Sequence, residues 1–242
     1  VYILCLTFIN NEIMEKQEHQ NHIENVIKNT FDIIQKVYKN QREIEPNSNE
    51  FIGSHIIFPQ KREEDAKNKQ EITRVSEQEL KQIFIEQLNL EICKGNWNVY
   101  YSVETPTKDI YRFSDVEKPL CGKEIEEINK DRERNGMPLL KGQSANFDLV
   151  IHDGNFKRIV LIEFKANNVD KKDYAKDFKK LNNQEEGDDS VLRYFIEIVR
   201  NTNSGTFPSL HGKIEGNENI FRCCSLSNGD ITKEVISAPI KK

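Results

Sequence analysis

The stretch FDLVIHDGNFKRIVLIEFKANN, residues 147–168, constrains the fold more than any other part of the chain. Two alternating, β-branched runs flank the turn signal Asp153-Gly154-Asn155, which predicts two strands joined by a tight turn. Side chains alternate along a strand, so Phe147, Leu149 and Ile151 face one way and Asp148, Val150 and His152 the other. In the second run Val160, Ile162, Phe164 and Ala166 share one face, and Leu161, Glu163 and Lys165 share the opposite one. Pairing through the turn brings Asp148 near Glu163. Their neighbours are too apolar for a solvated edge, and two carboxylates at the margin of a core are costly unless positive charge offsets them. Lys165 supplies one such charge, and a divalent cation would supply two.

The flanking segments supply the rest of a domain. Ile23, Val26, Ile27, Phe31, Ile34, Val37 and Tyr38 recur at three- and four-residue steps. They predict an amphipathic helix from Glu15 to about Ile44, packed on the main domain or on a second subunit. Residues 45–75 are turn-rich, and the run QKREEDAKNKQE reads as a solvated helix or loop. SEQE at Ser76 is a capping-box pattern, in which the Ser76 hydroxyl accepts from the Glu79 amide and Glu79 reaches back. Leu80, Ile83, Phe84 and Leu88 then carry a helix to about Glu91. NVYYSVET predicts a strand, and residues 105–143 an insertion with a short exposed helix at KEIEEINKDRERNG.

After the two strands, Tyr174, Phe178 and Leu181 mark a helix, and VLRYFIEIVR a strand buried in a sheet. A Gly/Ser/Pro-containing loop follows. NIFRCCSL and ITKEVI then flank Ser227-Asn228-Gly229-Asp230 as a C-terminal hairpin. The expected organisation is an N-terminal segment over residues 1–75 and an α/β domain over 76–242.

Composition narrows the setting. Hydrophobic residues make up 36% and charged residues 31%, and the net charge is −5. Bulk charge therefore does not make this a coat for nucleic acid, although a local basic groove is compatible with it. The five cysteines form neither a CxxC nor a zinc spacing, which points to core thiols in a reduced cytoplasm. VYILCLTFIN at the start is too short to span a bilayer. Met14 is expected to begin the functional protein, with an added strand or a weak membrane anchor at residues 1–13 as the alternative.

An aspartate on one strand followed by E-F-K on the next resembles the PD-(D/E)XK nuclease superfamily, with its restriction-endonuclease-like fold. The pattern here is Asp148 … Glu163-Phe164-Lys165, and Phe147 stands where the family pattern has proline. The order helix, three strands, helix, strand from Ser76 to Arg200 resembles that family's αβββαβ core with a central mixed sheet. The resemblance implies that Asp148, Glu163 and the Phe164 carbonyl bind Mg²⁺, with Mn²⁺ as a substitute, and that Lys165 assists phosphodiester hydrolysis. It implies a further carboxylate from the preceding helix, where Glu86 is favoured over Glu77, Glu79 and Glu91. It makes nucleic acid, with DNA foremost, the expected partner, and bacterial defence or repair the expected setting. A homodimer and a targeting protein are compatible with it, and no membrane partner is implied.

Other residues have weaker claims. Lys171, Lys172, Lys176, Lys179 and Lys180 contact backbone phosphates in one reading, and in another form a soluble helix face balanced by Asp170, Asp173 and Asp177. His152 is a candidate base or a surface histidine, and Gln143 and Ser144 are candidate substrate contacts. A nuclease-like module that binds nucleic acid or a protein without cutting is the competing function, and a salt-bridged strand pair the plainest one.

Overall fold

The computed structural model describes residues 2–42, 53–65, 68–113, 118–200 and 202–239. In chain order the elements are α1 (Tyr2–Arg42), β1 (Gln60–Asp65), β2 (Asn68–Thr73), α2 (Glu77–Cys93), β3 (Tyr100–Arg112), β4 (Leu120–Cys121) and α3 (Gly122–Arg134). There follow β5 (Gln143–His152), β6 (Arg158–Ala166), α4 (Lys171–Leu181), β7 (Leu192–Val199), α5 (Thr206–Ile214), β8 (Phe221–Ser225), β9 (Gly229–Asp230) and α6 (Thr232–Ile236). The protein is α/β, as expected, with a seven-stranded mixed sheet in the order β4-β3-β5-β6-β7-β8-β9 and a separate β1-β2 pair. Among the described residues no helix is long and apolar enough to cross a membrane. The described residues fall in two compact units, one drawn from 1–16, 99–163 and 169–195, the other from 17–98, 164–168 and 196–242.

The first unit is built on β3, β5 and the start of β6. β3 pairs antiparallel with β5 from Tyr100↔His152 to Tyr111↔Gln143, with a register break between Pro106 and Ile110. β3 therefore takes up the first part of the expected 105–143 insertion, and α3 is its expected short helix. The turn between β5 and β6 is organised by Asp153, whose Oδ1 accepts from the Asn155 and Lys157 amides. The left-handed residue there is Phe156, at φ 62°, and not the glycine of the turn signal. Tyr174 and Phe178 of α4 pack against Phe195 of β7 at ring distances of 5.1 and 4.8 Å, so the predicted stripe is the buried face of that helix.

A second feature of this unit was not foreseen. Glu186 is fully buried, and its carboxylate accepts from the Lys108 and Asp109 amides, the Tyr111 hydroxyl and the Arg158 guanidinium at 2.8–3.0 Å. The carboxylate ties the irregular part of β3 to the start of β6. Burial, with the Glu186 charge next, pushes the Tyr111 phenol far above its ordinary value, so it stays a donor.

In the second unit the predicted stripe of α1 is buried from Ile23 to Tyr38. On α2, Leu80, Ile83, Phe84 and Leu88 are buried as expected. The His22 ring stacks on Trp97 at 4.9 Å, and Glu91 accepts from His22 and Asn25, both at 2.8 Å. These contacts hold the part of α1 that lies in the second unit. Its backbone runs as one helix through Met14, so residues 2–13 are helical and not an added strand.

Four expectations are corrected. The charge run at 60–73 is an antiparallel hairpin and not a helix or loop; its register sets Arg62 opposite Glu71 and Glu64 opposite Lys69. Ser76 is the N-cap of α2 but caps no backbone amide, because its hydroxyl is turned to the Glu79 carboxylate, which also binds Arg74. The Gly/Ser/Pro loop holds α5, with Pro208 in its first turn, where proline is tolerated, and Leu210 and Ile214 buried one turn apart. ITKEVI is α6 and not a strand: Asp230 accepts from the Thr232 amide at 2.9 Å and starts a helix, so the terminal hairpin shrinks to β8 with the two-residue β9.

Candidate active site

In the first unit the β5–β6 register runs Ile151↔Val160, Val150↔Leu161 and Leu149↔Ile162, and one further step sets Asp148 opposite Glu163. Both strands are apolar on the face that carries Leu149 and Ile162, and the acids lie on the other. Glu163 is only 2% exposed, whereas Asp148 is half-buried.

The counter-ion of Glu163 comes from α4. Lys180 Nζ lies 2.5 Å from Glu163 Oε1 and 3.0 Å from Asp177 Oδ1, and it donates to the Asn146 carbonyl at 2.9 Å. The same ammonium stands 5.7 Å from the centroid of the Phe147 ring. Asp177 and Lys180 reach this position because they flank the Tyr174–Phe178–Leu181 stripe at an i,i+3 spacing. Two carboxylates thus share one ammonium. Burial pushes the Glu163 carboxyl well above the usual carboxylate range; the Asp177 charge adds to that push and Asp148 adds again, while Lys180 pulls the other way. Burial alone depresses the Lys180 ammonium, but the Glu163 and Asp177 charges outweigh it and hold its pKa above the ordinary lysine value.

The remaining expected residues lie in the second unit. Lys165 Nζ is 3.6 Å from Glu77 Oε1. Phe164 is buried, its ring edge-on to Phe84 at 5.2 Å. Three of the four helix glutamates have cationic partners: Glu77 has Lys165, Glu79 has Arg74, and Glu91 has Lys94, with the His22 ring hydrogen-bonded to it as well. Burial raises the Glu91 pKa, but Lys94, His22 and Asn25 outweigh it and hold the carboxyl below its ordinary value. Glu86 differs: its Oε2 is shut off from solvent with no hydrogen-bond partner among the described residues.

The α4 lysines divide three ways. Lys176 pairs with Asp173 at 3.3 Å and Lys179 with Glu124 at 2.7 Å; Lys180 is the buried counter-ion; Lys171 and Lys172 are exposed. His152 is engaged at both ring nitrogens, with Ser102 Oγ at 2.9 Å and the Phe156 carbonyl at 3.2 Å. Gln143 and Ser144 are exposed at the start of β5. Sequence reasoning missed Lys180 and Asp177 as members of the acidic cluster. The signal that would have found them is their i,i+3 spacing beside an apolar stripe.

The donor chemistry suits a hard divalent cation. Mg²⁺ is commonly held by one or two carboxylates together with water and substrate phosphate, and Asp148 and Glu163 are such a pair. Among the described residues no group of three or more His, Cys, Asp or Glu side chains is arranged to hold a metal by itself, so water and phosphate would complete the shell. No protein-family model, curated protein or solved structure matches this chain.

Proposed function

We propose that the protein is a metal-dependent nuclease that hydrolyses phosphodiester bonds, DNA being the expected substrate, with Asp148 and Glu163 as its acidic ligands. The observation that carries this reading is the antiparallel β5–β6 register, which continued one step beyond Leu149↔Ile162 brings Asp148 opposite Glu163, close enough for the charge of one to shift the other. The chain order α2, β3, β5, β6, α4, β7, with β4 and α3 inserted between β3 and β5, supports it as well, since it resembles the helix, three strands, helix, strand of the restriction-endonuclease-like core. A bound Mg²⁺ or Mn²⁺ would offset the acidic excess, polarise the phosphate and acidify a water. Asp148 and Glu163 supply the oxygen donors, with the Phe164 carbonyl as a third in the E-x-K pattern. Lys180 fixes the Glu163 carboxylate from the side of α4. The E-x-K spacing assigns Lys165 to orienting the attacking water or steadying charge on the phosphate, and Glu86 to the additional helix carboxylate.

One observation favours a second reading. Glu163 is almost wholly buried and already held by Lys180, which suits a catalytically silent module that binds nucleic acid or a protein. Incubation of the purified protein with linear, nicked, branched and single-stranded substrates, in Mg²⁺, Mn²⁺ or EDTA, separates the two. Cleavage that needs the metal supports the nuclease; binding without cleavage on every substrate supports the silent module.

Melting curves test the site without turnover. Mn²⁺ is expected to raise the melting temperature of the wild type as ln(1 + [M]/Kd). Asp148→Asn removes one of three clustered negative charges. The metal-free variant should melt at or slightly above the wild type, with a smaller gain from Mn²⁺. A lower melting temperature for Asp148→Asn in EDTA, with no metal response in either protein, would mark a structural salt bridge instead.

The raised Glu163 pKa sets a pH dependence. The folded state keeps this proton to a higher pH than the unfolded chain does, so the contribution is full below the unfolded carboxyl value and is lost as pH rises through the folded one. Lys180, with its pKa raised, loses its contribution only above the ordinary lysine value, outside this window. Between roughly pH 4.5 and the raised value, Glu163→Gln should therefore show a flatter fall in melting temperature than the wild type. Parallel profiles for the two proteins would remove Glu163 as the titrating group.

A further inference from the structure

The second unit holds a cleft of about 290 Å³, lined by Asn167, Asn168, Val199, Arg200, Asn203 and Thr206. That is near the lower end of small-ligand sites, which run roughly 300–1,000 Å³. It opens where β6 and β7 both end: the Asn167 amide donates to the Ile198 carbonyl at 2.8 Å, so the two carboxyl ends lie side by side. In open α/β sheets this is the place where ligands are bound.

Its walls are already fixed. Asn167 sits in the left-handed region at φ 67°, and its side-chain amide donates to the Val75 carbonyl at 3.1 Å. Asn168 donates to Ser209 Oγ at 3.1 Å and accepts from Lys213. Asn203 and Thr206 bond to each other, and Asn203 Oδ1 also accepts from the Gly205 amide. The Val199 carbonyl accepts from Leu226 at 2.9 Å. Arg200 is the exception. It is half-buried, and among the described residues its guanidinium makes no hydrogen bond or ion pair. Among the described residues the lining contains no carboxylate, and Lys213 adds positive charge behind Asn168.

An amide-lined cleft whose guanidinium has no partner, and which has no opposing acid, among the described residues suits an anion. Arginine's planar fork matches phosphate, and Asn167 Oδ1 and Asn203 Nδ2, which make no hydrogen bond among the described residues, are an acceptor and a donor for the hydroxyls of a sugar. We infer that this cleft binds the phosphate monoester of a nucleotide, with Arg200 as its anchor. The phosphate belongs either to a free mononucleotide or to the phosphorylated end of a nucleic acid. The inference does not rest on the nuclease reading, because none of the lining residues belongs to the acidic cluster.

The test uses the full chain in EDTA, with binding measured by calorimetry. AMP, adenosine and glutamate are the first probes. AMP should bind and adenosine should not, and glutamate should bind at least tenfold more weakly than AMP. Arg200→Gln should weaken AMP at least tenfold while leaving the ligand-free melting temperature unchanged, and Arg200→Lys should fall between. Oligothymidylate with a 5′-phosphate or a 5′-hydroxyl then distinguishes the source. A preference for the phosphorylated oligonucleotide over AMP identifies a nucleic-acid end, and the reverse a free nucleotide. Equal binding of AMP and adenosine, glutamate as tight as AMP, no binding of AMP or of either oligonucleotide, or full affinity in Arg200→Gln would overturn the inference. Failure of Asp148→Asn to alter the metal response would leave it standing.

Discussion

Glu163→Ala and Lys165→Ala are each expected to lower Mg²⁺-dependent cleavage on the order of 10³-fold or more, the scale of losing several kcal/mol of transition-state stabilisation. The two variants should differ in the folded state. Lys165 has a partly exposed partner in Glu77 at 3.6 Å, and such pairs contribute about 0–1 kcal/mol, so Lys165→Ala should melt close to the wild type. Glu163→Ala removes a buried acid that crowds Asp177 and Asp148 but leaves Lys180 with Asp177 as its ion-pair partner. Single-turnover cleavage at saturating Mg²⁺, with melting curves beside it, reads both effects. Near wild-type cleavage in either variant would discard the site assignment. Loss of cleavage in Glu163→Ala accompanied by unfolding would leave Glu163→Gln as the deciding variant, since the amide keeps the shape and loses the charge.

Glu186→Ala is expected to destabilise the protein by about 3–5 kcal/mol, the cost of breaking a buried ion pair by removing one partner. The carboxylate is the common acceptor of two amides, a phenol and a guanidinium. Without it, Arg158 keeps its bond to the Pro106 carbonyl, but the Lys108 and Asp109 amides lose their acceptor. For a chain of this size the loss corresponds to a fall of roughly 6–20 °C in melting temperature. Glu186→Gln should fall by less, because one acceptor oxygen remains. A change within a degree or two for the alanine variant would mean that water replaces the carboxylate at no cost.

Periodicity made some elements readable. The alternation of residues 147–151 and 160–166 found β5 and β6, and the stripes through Ile23–Tyr38 and Tyr174–Leu181 found α1 and α4, because burying one face leaves a repeat in the sequence. Elements held by polar contacts left no such repeat. β1 and β2 form an antiparallel backbone ladder over a stretch that in sequence looks like any charge run. α5 was obscured by Pro208 and Gly212, and α6 by β-branched residues whose strand preference yields to the turn that Asp230 makes with the Thr232 amide. In the candidate site, Asp148 and Glu163 were legible from alternation and a local turn. Lys180 was visible only as one of five lysines, since its burial depends on how α4 lies on β5 and β6. Glu186 lies in the polar run NNQEEGDD, where nothing local marks a buried hub.

The shared ammonium also shapes how this corner of the chain tolerates change over generations. Lys180 serves Glu163, Asp177 and the Asn146 carbonyl at once. Replacing it alone strands buried carboxylates, yet the same replacement made after Glu163 and Asp177 have become neutral would cost little, since an apolar substitute for a whole buried ion cluster is often tolerated. The effect of a substitution here therefore changes with the order in which substitutions arrive, as expected for groups in one network. Single-position scans will rank Lys180 as immutable. A lineage that first gave up its acids would find the position free.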